Sequence, residues 1–203
     1  MPDTSTSSTP DARARILESA IALLGRRGYD SVSVADIASE SGVSTALIYY
    51  HFADKESLLR SIIERATEAF DANARVALDA PGSAAERIER FTAVRIRDVS
   101  ANASLVRILV RPITDPEGPL AAELLEAISG TIGAIAAVIE EGIGAGEFEA
   151  VDPWVAAECL FALINTRVAA GVLEVPYAER LDYGDEREHA AFVSRLFLRG
   201  IAR

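Results

Sequence analysis

Apolar residues recur every three or four positions along most of the chain, which is the spacing of amphipathic α-helices. The first such segment opens at Asp11 and ends before Gly28, and polar residues such as Arg13, Arg15 and Glu18 lie off its apolar stripe. The stripe comprises Ile16, Leu17, Ala20, Ile21, Leu23 and Leu24. No stretch shows the sustained alternation of apolar and polar residues that is typical of a half-buried β-strand. The pattern therefore predicts an all-α fold.

Capping residues divide the N-terminal part of this pattern into four helices. Gly28 suits the left-handed residue that ends the first helix. Ser33, with Asp36 three positions later, favours the start of the second helix, and Ser44 and Asp54 can cap the third and the fourth. The predicted helices cover about 11–27, 33–40, 45–51 and 54–78. At 1.5 Å per residue the fourth helix is ~37 Å long.

Breaks rich in proline or glycine separate five longer helices in the rest of the chain. These breaks are "DAPGS" at 79–83, Pro112 with the "TDPEGP" turn, "EEGIGAGEF" and "EVPYAERLDYGD". Asp152 followed by Pro153 is a strong helix start, because an acidic cap precedes a proline at the first helical position. The five helices are predicted over about 84–100, 102–111, 119–142, 153–172 and 185–201. The chain thus contains about nine helices.

The amino-acid composition indicates the cellular compartment in which the protein functions. The single cysteine, Cys159, excludes an intramolecular disulfide and a multi-thiolate zinc site, which fits a reducing compartment. Residues 1–10 lack a basic start followed by an apolar run, so we expect a disordered polar tail rather than a secretory signal. No segment approaches the ~20 uninterrupted apolar residues of a membrane span. We therefore expect a cytoplasmic protein that makes no membrane contact.

The stretch between residues 34 and 51 favours a close crossing of two short helices. Ala38 is small enough to lie at the crossing, Gly42 can take the left-handed position of the turn, and Ile48 can anchor the second helix. Ile37 and Val43 complete a small apolar core around this crossing, and Leu47 and Phe52 are also predicted to be core residues. The spacing predicts a helix-turn-helix, whose second helix normally enters the major groove of DNA.

The segment "SVADIASESGVSTALIYYHFADKESLL" resembles the N-terminal domain of the tetracycline-repressor (TetR) family of bacterial transcriptional regulators. The family's hallmarks stand at Gly28-Tyr29, Val34 to Ala38, Gly42 to Ser44, Tyr49 to Phe52 and Lys55. The motif resemblance covers residues 12–60, and "AGEFEAVDPWVAAECLFALI" looks like the turn into the family's first dimerisation helix. The resemblance implies a helix-turn-helix DNA-binding domain over 11–54 and a ligand-binding and dimerisation domain over 55–203. It further implies a homodimer that binds a palindromic operator, usually as a repressor, and that a small-molecule ligand releases.

The resemblance also implies a set of DNA-contacting residues on and beside the third helix. Thr45 can hydrogen-bond a base or a phosphate, Ala46 can meet a thymine methyl group, and tyrosine hydroxyls suit phosphate oxygens or base edges. Lys55 stands at a helix N-terminus, where free amides already favour an anion. The full set is Ser33, Ser44, Thr45, Ala46, Tyr49, Tyr50, His51 and Lys55. Each residue also has an ordinary structural explanation as a helix cap, a packing residue or a surface residue.

The formal net charge of −11 is unusual for a DNA-binding protein. Residues 1–60 hold six Lys or Arg against eight Asp or Glu, and the rest of the chain holds fourteen against twenty-three. Acidic residues beyond a Debye length of ~8 Å from the DNA are largely screened. We therefore expect phosphate contacts to use helix N-termini and hydroxyl groups more than ammonium groups, with few counterions released.

Apolar rows on the last two helices predict a dimer interface. Rows of this width on terminal helices can bury against a second copy in a four-helix arrangement. Packing within one chain is the alternative. The predicted interface residues are Val155, Cys159, Ala162, Leu163, Phe192, Val193, Leu196 and Phe197.

Polar residues among apolar neighbours indicate a pocket for an unidentified small-molecule effector. Arg107 and Arg111 share a helix face and can bind an anionic ligand. The alternative is that both pair with acidic residues on neighbouring helices, namely Asp98, Glu123 or Glu126. The candidate pocket residues are Arg95, Asn102, Arg107, Arg111, Trp154, Phe161 and Asn165. None of them defines a chemical class of effector.

Other classes of function find little support in the sequence. The two histidines, His51 and His189, belong to no recognisable nucleophile–base pair, and the chain has no Gly-rich nucleotide loop and no metal-ligand spacing. We therefore expect no catalytic residues, no metal and no cofactor. A helical protein-interaction module without DNA binding is the remaining alternative, and it would leave the cluster of Tyr49, Tyr50, His51 and Lys55 without a role.

Overall fold

A computed structural model of the chain describes residues 12–114, 120–172, 180 and 182–202, and these residues form nine α-helices and no β-strand. The helices are α1 (Ala12–Arg27), α2 (Val34–Ser41), α3 (Thr45–His51), α4 (Lys55–Leu78), α5 (Ala84–Ala101), α6 (Ala103–Thr114), α7 (Ala121–Gly144), α8 (Pro153–Val172) and α9 (Glu186–Ile201). The predicted all-α fold of about nine helices is confirmed. The tail predicted over residues 1–10 lies outside the described residues.

The chain divides into two compact units, and the division falls after Ile63, inside α4. In the first unit α1 packs against α2 and α3, and α2 packs against α3. Its buried apolar side chains are Ile16, Leu17, Ala20, Leu23, Leu24, Val32, Ile37, Ala38, Ile48, Phe52, Leu58, Leu59, Ile62 and Ile63. The apolar stripe of α1 therefore faces this core. Because α4 contributes to both units, the functional boundary predicted between residues 54 and 55 stays a prediction.

The second unit is built around α5, which packs against α7, α8 and α9. Phe91 on α5 is completely buried in its core. Phe148, in the turn after α7, is also buried, and its ring lies against the backbone of Gly142. A Cβ atom on Gly142 would overlap that ring, so only glycine permits this approach. Gly142, near the end of α7, thus has a packing role.

The length and apolar composition of α7 would allow it to cross a membrane, with a mean hydropathy of 1.6 over its best window. In the structure α7 packs against α5, α6 and α8. Ile135 and Ile139 are completely buried in the core of the second unit. Core packing accounts for part of the apolar character of α7, since 33% of its most apolar stretch is buried.

Helix α6 continues past Pro112, the residue before which the sequence pattern predicted that the helix would end. The helix continues to Thr114. Proline has no amide hydrogen and its ring crowds the preceding turn, so it destabilises a helix most in the interior. Pro112 lies in the last turn of α6, and its missing amide removes one hydrogen bond to the preceding turn. The prediction that the helix ends before Pro112 was therefore wrong.

Candidate nucleic-acid interface

The turn between α2 and α3 is closed by Gly42, whose backbone is left-handed with φ 65° and ψ 34°. The amide of Val43 donates to the carbonyl of Ala38 at 3.1 Å, which satisfies one of the last carbonyls of α2. The guanidinium of Arg15 donates to the carbonyl of Ser41 at 2.7 Å from the side of α1. Arg15 therefore fixes α1 to the turn, a role that the sequence pattern did not reveal.

Ser33 begins α2 with a complete capping box. Its amide and its hydroxyl donate to the carboxylate of Asp36 at 2.8 and 2.5 Å, and the amide of Asp36 donates back to the hydroxyl at 3.1 Å. The hydrogen bonds from the Ser33 hydroxyl and amide, and then the one from Arg27, lower the pKa of Asp36 to about 2. Ser33 is exposed, but its hydroxyl already serves the cap.

The next two helices begin in the same manner. The hydroxyl of Ser44 accepts a hydrogen bond from the amide of Leu47 at 3.2 Å at the start of α3. At the start of α4 the amide of Ser57 donates to the carboxylate of Asp54 at 2.7 Å, and the amide of Asp54 donates to the hydroxyl of Ser57 at 3.1 Å. These caps fix where α3 begins and ends, and hence which of its side chains point outward.

α3 has a buried face and an exposed face. Ile48 is completely buried, Phe52 follows it into the core, and Leu47 is half-buried, so its assignment to the core was only partly right. The outward residues, which we call the recognition face, are Thr45, Ala46, Tyr49 and Tyr50. The two tyrosines are 54% and 82% exposed. Two large aromatic side chains exposed side by side on so short a helix mark a surface suited to binding.

Two further predicted contacts border the recognition face. His51 is half-buried, with its ring edge-on to that of Tyr50 at a centroid distance of 5.2 Å. Lys55 is half-buried as well; its ammonium donates to the backbone carbonyl of Tyr29 and lies 3.9 Å from the centroid of the Tyr29 ring. Lys55 therefore has a structural partner in addition to the phosphate contact predicted for it.

Each of the six cationic side chains of the first unit takes part in an internal contact. The contacts join Arg13 to Ser61 and the Phe52 ring, Arg15 to the turn carbonyls, Arg26 to Glu40, Arg27 to Asp36, Lys55 to Tyr29 and Arg60 to Glu56. The recognition face itself is uncharged. The geometry therefore agrees with a surface that binds through hydroxyl groups and shape more than through ammonium groups.

The side chains of the recognition face carry groups that can bind a groove of DNA. The hydroxyls of Thr45, Tyr49 and Tyr50 can donate to phosphate oxygens and base edges, and the methyl group of Ala46 can meet that of thymine. Among the residues that the structure describes, no group of three or more His, Cys, Asp or Glu is placed to hold a metal ion. Fold and surface together define a helix-turn-helix DNA-binding unit.

The residues predicted to bind an effector do not all lie together. Asn102 ends α5 at the surface and donates its amide to the carbonyl of Asp98 at 2.7 Å. Arg107 is exposed, and so is Trp154, whose ring lies over the backbone of Gly133. These three positions therefore line no enclosed site in the described structure. The side chain of Arg111 lies outside the described residues.

Arg95 is the predicted pocket residue with the most unusual surroundings. Its guanidinium lies over the rings of Phe70 and Phe161, with centroid distances of 4.6 and 5.7 Å. Burial lowers the pKa of Arg95, although Asp71 and Asp98 counteract this effect. Phe161 is half-buried, and so is Asn165 one helical turn later on α8, whose side-chain amide donates to the carbonyl of Phe161 at 2.7 Å. The predicted effector-binding role of these residues stays a prediction.

The predicted dimer surface is split by the structure. Val193 and Phe197 are buried in the core of their own chain, so they correct the prediction that the whole α9 row faces a partner. Neighbouring positions of α9 point the other way, since Phe192 and Leu196 are 54% and 51% exposed. On α8 the exposed members of the row are Val155, Cys159 and Ala162, and Leu163 is half-buried.

Comparison with known proteins agrees with this geometry. Residues 16–62 match the family of bacterial regulatory proteins of the tetR family, and residues 81–168 match the tetracyclin repressor-like C-terminal domain. The chain is 22% identical, over 78% of its own length and 82% of the relative's, to the fatty acid metabolism regulator protein of Bacillus subtilis (strain 168).

Solved structures are similar over nearly the whole chain. The TetR family transcriptional regulator PfmR from Thermus thermophilus superposes with a TM-score of 0.77 at 27% identity, covering 93% of this chain and 100% of that one. A putative transcriptional regulator from Saccharomonospora viridis in complex with choline superposes with a TM-score of 0.77 at 26% identity, covering 96% and 100%. The chain belongs to the TetR family and is a transcriptional regulator with a helix-turn-helix DNA-binding unit.

Proposed function

We propose that the chain acts as a homodimeric repressor, which binds a palindromic operator through the recognition face and leaves it when a small molecule binds the second unit. The observation that carries this proposal is the outward face of α3, where Tyr49 and Tyr50 are exposed while Ile48 holds the helix in the core. Such a division between an anchored face and an exposed polar-aromatic face is what a recognition helix needs.

The exposed rows of α8 and α9 support the dimer. Phe192 and Leu196 on α9 and Val155 on α8 are each about half exposed, which is costly for large apolar side chains unless a partner covers them. A two-fold dimer contacts itself through the same surface on both copies. Two recognition helices one DNA turn apart, ~34 Å, then require an operator with inverted half-sites.

α4 provides the physical link for regulation, because it begins in the first unit and ends in the second. A ligand that favours one arrangement of the second unit can change the spacing of the two recognition helices through this helix. A coupling free energy of ~1–3 kcal/mol reduces operator affinity about 5- to 150-fold. Without the ligand the protein stays bound to the operator and represses transcription. Binding of the ligand releases the protein from the operator and ends the repression.

The relatives support a ligand-responsive second unit. One is a regulator of fatty acid metabolism, and one solved structure contains choline. Only the second name states a bound molecule, and the first states only which metabolism its protein regulates. The relatives therefore support the presence of an effector site. The chemical class of the effector has to be inferred from the residues of this chain.

A gel-shift experiment with the DNA upstream of the protein's own gene tests the proposal. We expect a sequence-specific shift by the purified protein that Tyr50→Ala abolishes while the dimer and the helix content remain intact. Val76→Ala is the matched control, because Val76 is similarly exposed, at 75%, but lies on α4 in the second unit. A protein that binds no duplex specifically would instead favour a helical interaction module without DNA binding.

A further inference from the structure

Arg95, in the middle of α5, is half-buried and carries one fully buried N–H group that donates to no acceptor within the described residues. Its Nε atom is buried and has no hydrogen-bond partner. A guanidinium has five N–H donors, yet within the described residues the contacts of Arg95 are those with the rings of Phe70 and Phe161. Cation–π contacts attract the charge but satisfy no N–H group.

The nearest carboxylates are already engaged by other groups. Asp98 accepts a hydrogen bond from the amide of Asn73 at 2.8 Å and lies 3.5 Å from the guanidinium of Arg97. Asp71 accepts a hydrogen bond from the hydroxyl of Thr131 at 2.9 Å. Both acids favour the charged form of Arg95 from a distance, but burial has the larger effect and lowers its pKa. Arg95 is thus held charged without a direct partner.

A buried N–H donor of a charged group is costly when it has no partner, because it loses its hydrogen bonds to water and gains none in return. Natural cores avoid such groups, and each exception calls for an explanation. A ligand that supplies the missing acceptor is the explanation that also fits the surroundings, because Phe161, whose ring lies beside Arg95, keeps part of its surface open. The planar fork of a guanidinium matches the two oxygens of a carboxylate.

We propose that Arg95 binds the carboxylate of the effector, and that the effector is a monocarboxylic acid with an apolar body. This inference rests on the proposed function, because it assigns a chemical class to the same effector site. The aromatic rings that a quaternary ammonium would need are occupied by Arg95, so a cation such as choline is disfavoured. A dianion is disfavoured by Asp71 and Asp98. The apolar body would meet Phe70, Phe161 and the apolar residues of α8.

Calorimetric binding to the purified full-length protein tests this assignment. The probes are the straight-chain carboxylates from butanoate to decanoate, benzoate and phenylacetate, compared with octanamide and octyltrimethylammonium at equal ionic strength. We expect at least one carboxylate to bind, to raise the Tm, and to bind at least about tenfold more tightly than the neutral amide, as a charge-assisted bidentate contact implies.

Arg95→Met should remove the preference for carboxylate over amide and leave the Tm without ligand unchanged or higher. Arg107→Met is the matched control, since it removes an exposed arginine from the neighbouring α6, and it should keep the preference. The inference is overturned if no carboxylate in the series binds, or if Arg95→Met keeps the tenfold preference. Should Arg95→Met fail to fold, Arg95→Gln decides in the same way: a lost preference supports the inference and a retained one overturns it.

Operator binding, measured separately, distinguishes this inference from the proposed function. A wild-type protein that binds the operator but prefers no carboxylate would refute the assignment of Arg95 alone. A protein that binds no operator would refute the proposed function, while calorimetry would still decide whether Arg95 binds a carboxylate.

Discussion

The ammonium of Lys55, at the first position of α4, donates to the backbone carbonyl of Tyr29 and lies over the ring of the same residue, 3.9 Å from its centroid. The two residues are 26 positions apart in the chain. Their contact joins the start of α4 to the loop that follows α1. Lys55 therefore stabilises the DNA-binding unit in addition to the phosphate contact that we predict for it.

Removal of the Lys55 ammonium should therefore lower stability as well as operator affinity. We expect Lys55→Met to reduce the free energy of unfolding by about 1–2 kcal/mol, from the lost charged hydrogen bond and cation–π contact. Urea unfolding followed by circular dichroism measures this change. Tyr29→Leu, which keeps the carbonyl and removes only the ring, should lose about 0.5–1 kcal/mol. Unchanged stability in Lys55→Met would assign the side chain to DNA contact alone.

The capping box of α2 should be visible in the titration of Asp36. Its pKa of about 2 lies below the ordinary value of 3.8, because Ser33 and Arg27 donate to the carboxylate. A depressed pKa means that this carboxylate stabilises the fold above about pH 3.8 and that the contribution is lost as the pH falls through about 2. Carbon-detected NMR should find the low midpoint, and Ser33→Ala should move it upward. A midpoint near 3.8 in the wild type would contradict the capping geometry.

Two phenylalanines of α9 should respond in opposite ways to substitution. Phe192 is exposed, so Phe192→Glu should convert the proposed dimer to a monomer with little change in helix content. Phe197 is buried in its own chain, so Phe197→Ala should lower the free energy of unfolding by about 3–5 kcal/mol. Light scattering measures the first change and denaturant unfolding the second. A Phe192→Glu protein that remains dimeric would place the interface elsewhere.

Operator binding should depend only moderately on salt. Every cationic side chain of the first unit already has an internal contact, and the recognition face is uncharged. Each phosphate that a cation neutralises contributes about 0.9 to the slope of log affinity against log salt, so we expect a magnitude below about 5. Fluorescence anisotropy at several potassium concentrations measures the slope. A slope near about −10 would mean that nearly all these cations, in both copies, leave their internal partners for DNA.

Local sequence signals predicted the helices well, because caps and turns depend on neighbouring residues. Ser33 with Asp36, Gly42 and Ser44 each act within four positions, and the structure places each in its predicted role. Pro112 misled the prediction because proline removes one hydrogen bond from a helix without always ending it, and the sequence does not state whether the rest of the helix compensates.

Long-range contacts could not be predicted in this way. The apolar arc of α9 is wide enough to face two directions, and helical period alone does not say that Phe197 faces inward while Phe192 faces outward. Arg15 contacts a carbonyl 26 residues away. Arg95 was named as a pocket residue, but its lack of a partner depends on where Asp71 and Asp98 direct their oxygens. Such features follow from packing in three dimensions.

The most direct test of the central claim is selection of duplexes by the purified protein from a random pool, followed by the same selection with Tyr50→Ala. If the helix that follows Gly42 reads a major groove, the wild type will enrich an inverted repeat with half-sites about ten base pairs apart, and the variant will enrich nothing above background. Enrichment of no sequence by the wild type, or of the same repeat by Tyr50→Ala, would contradict the account.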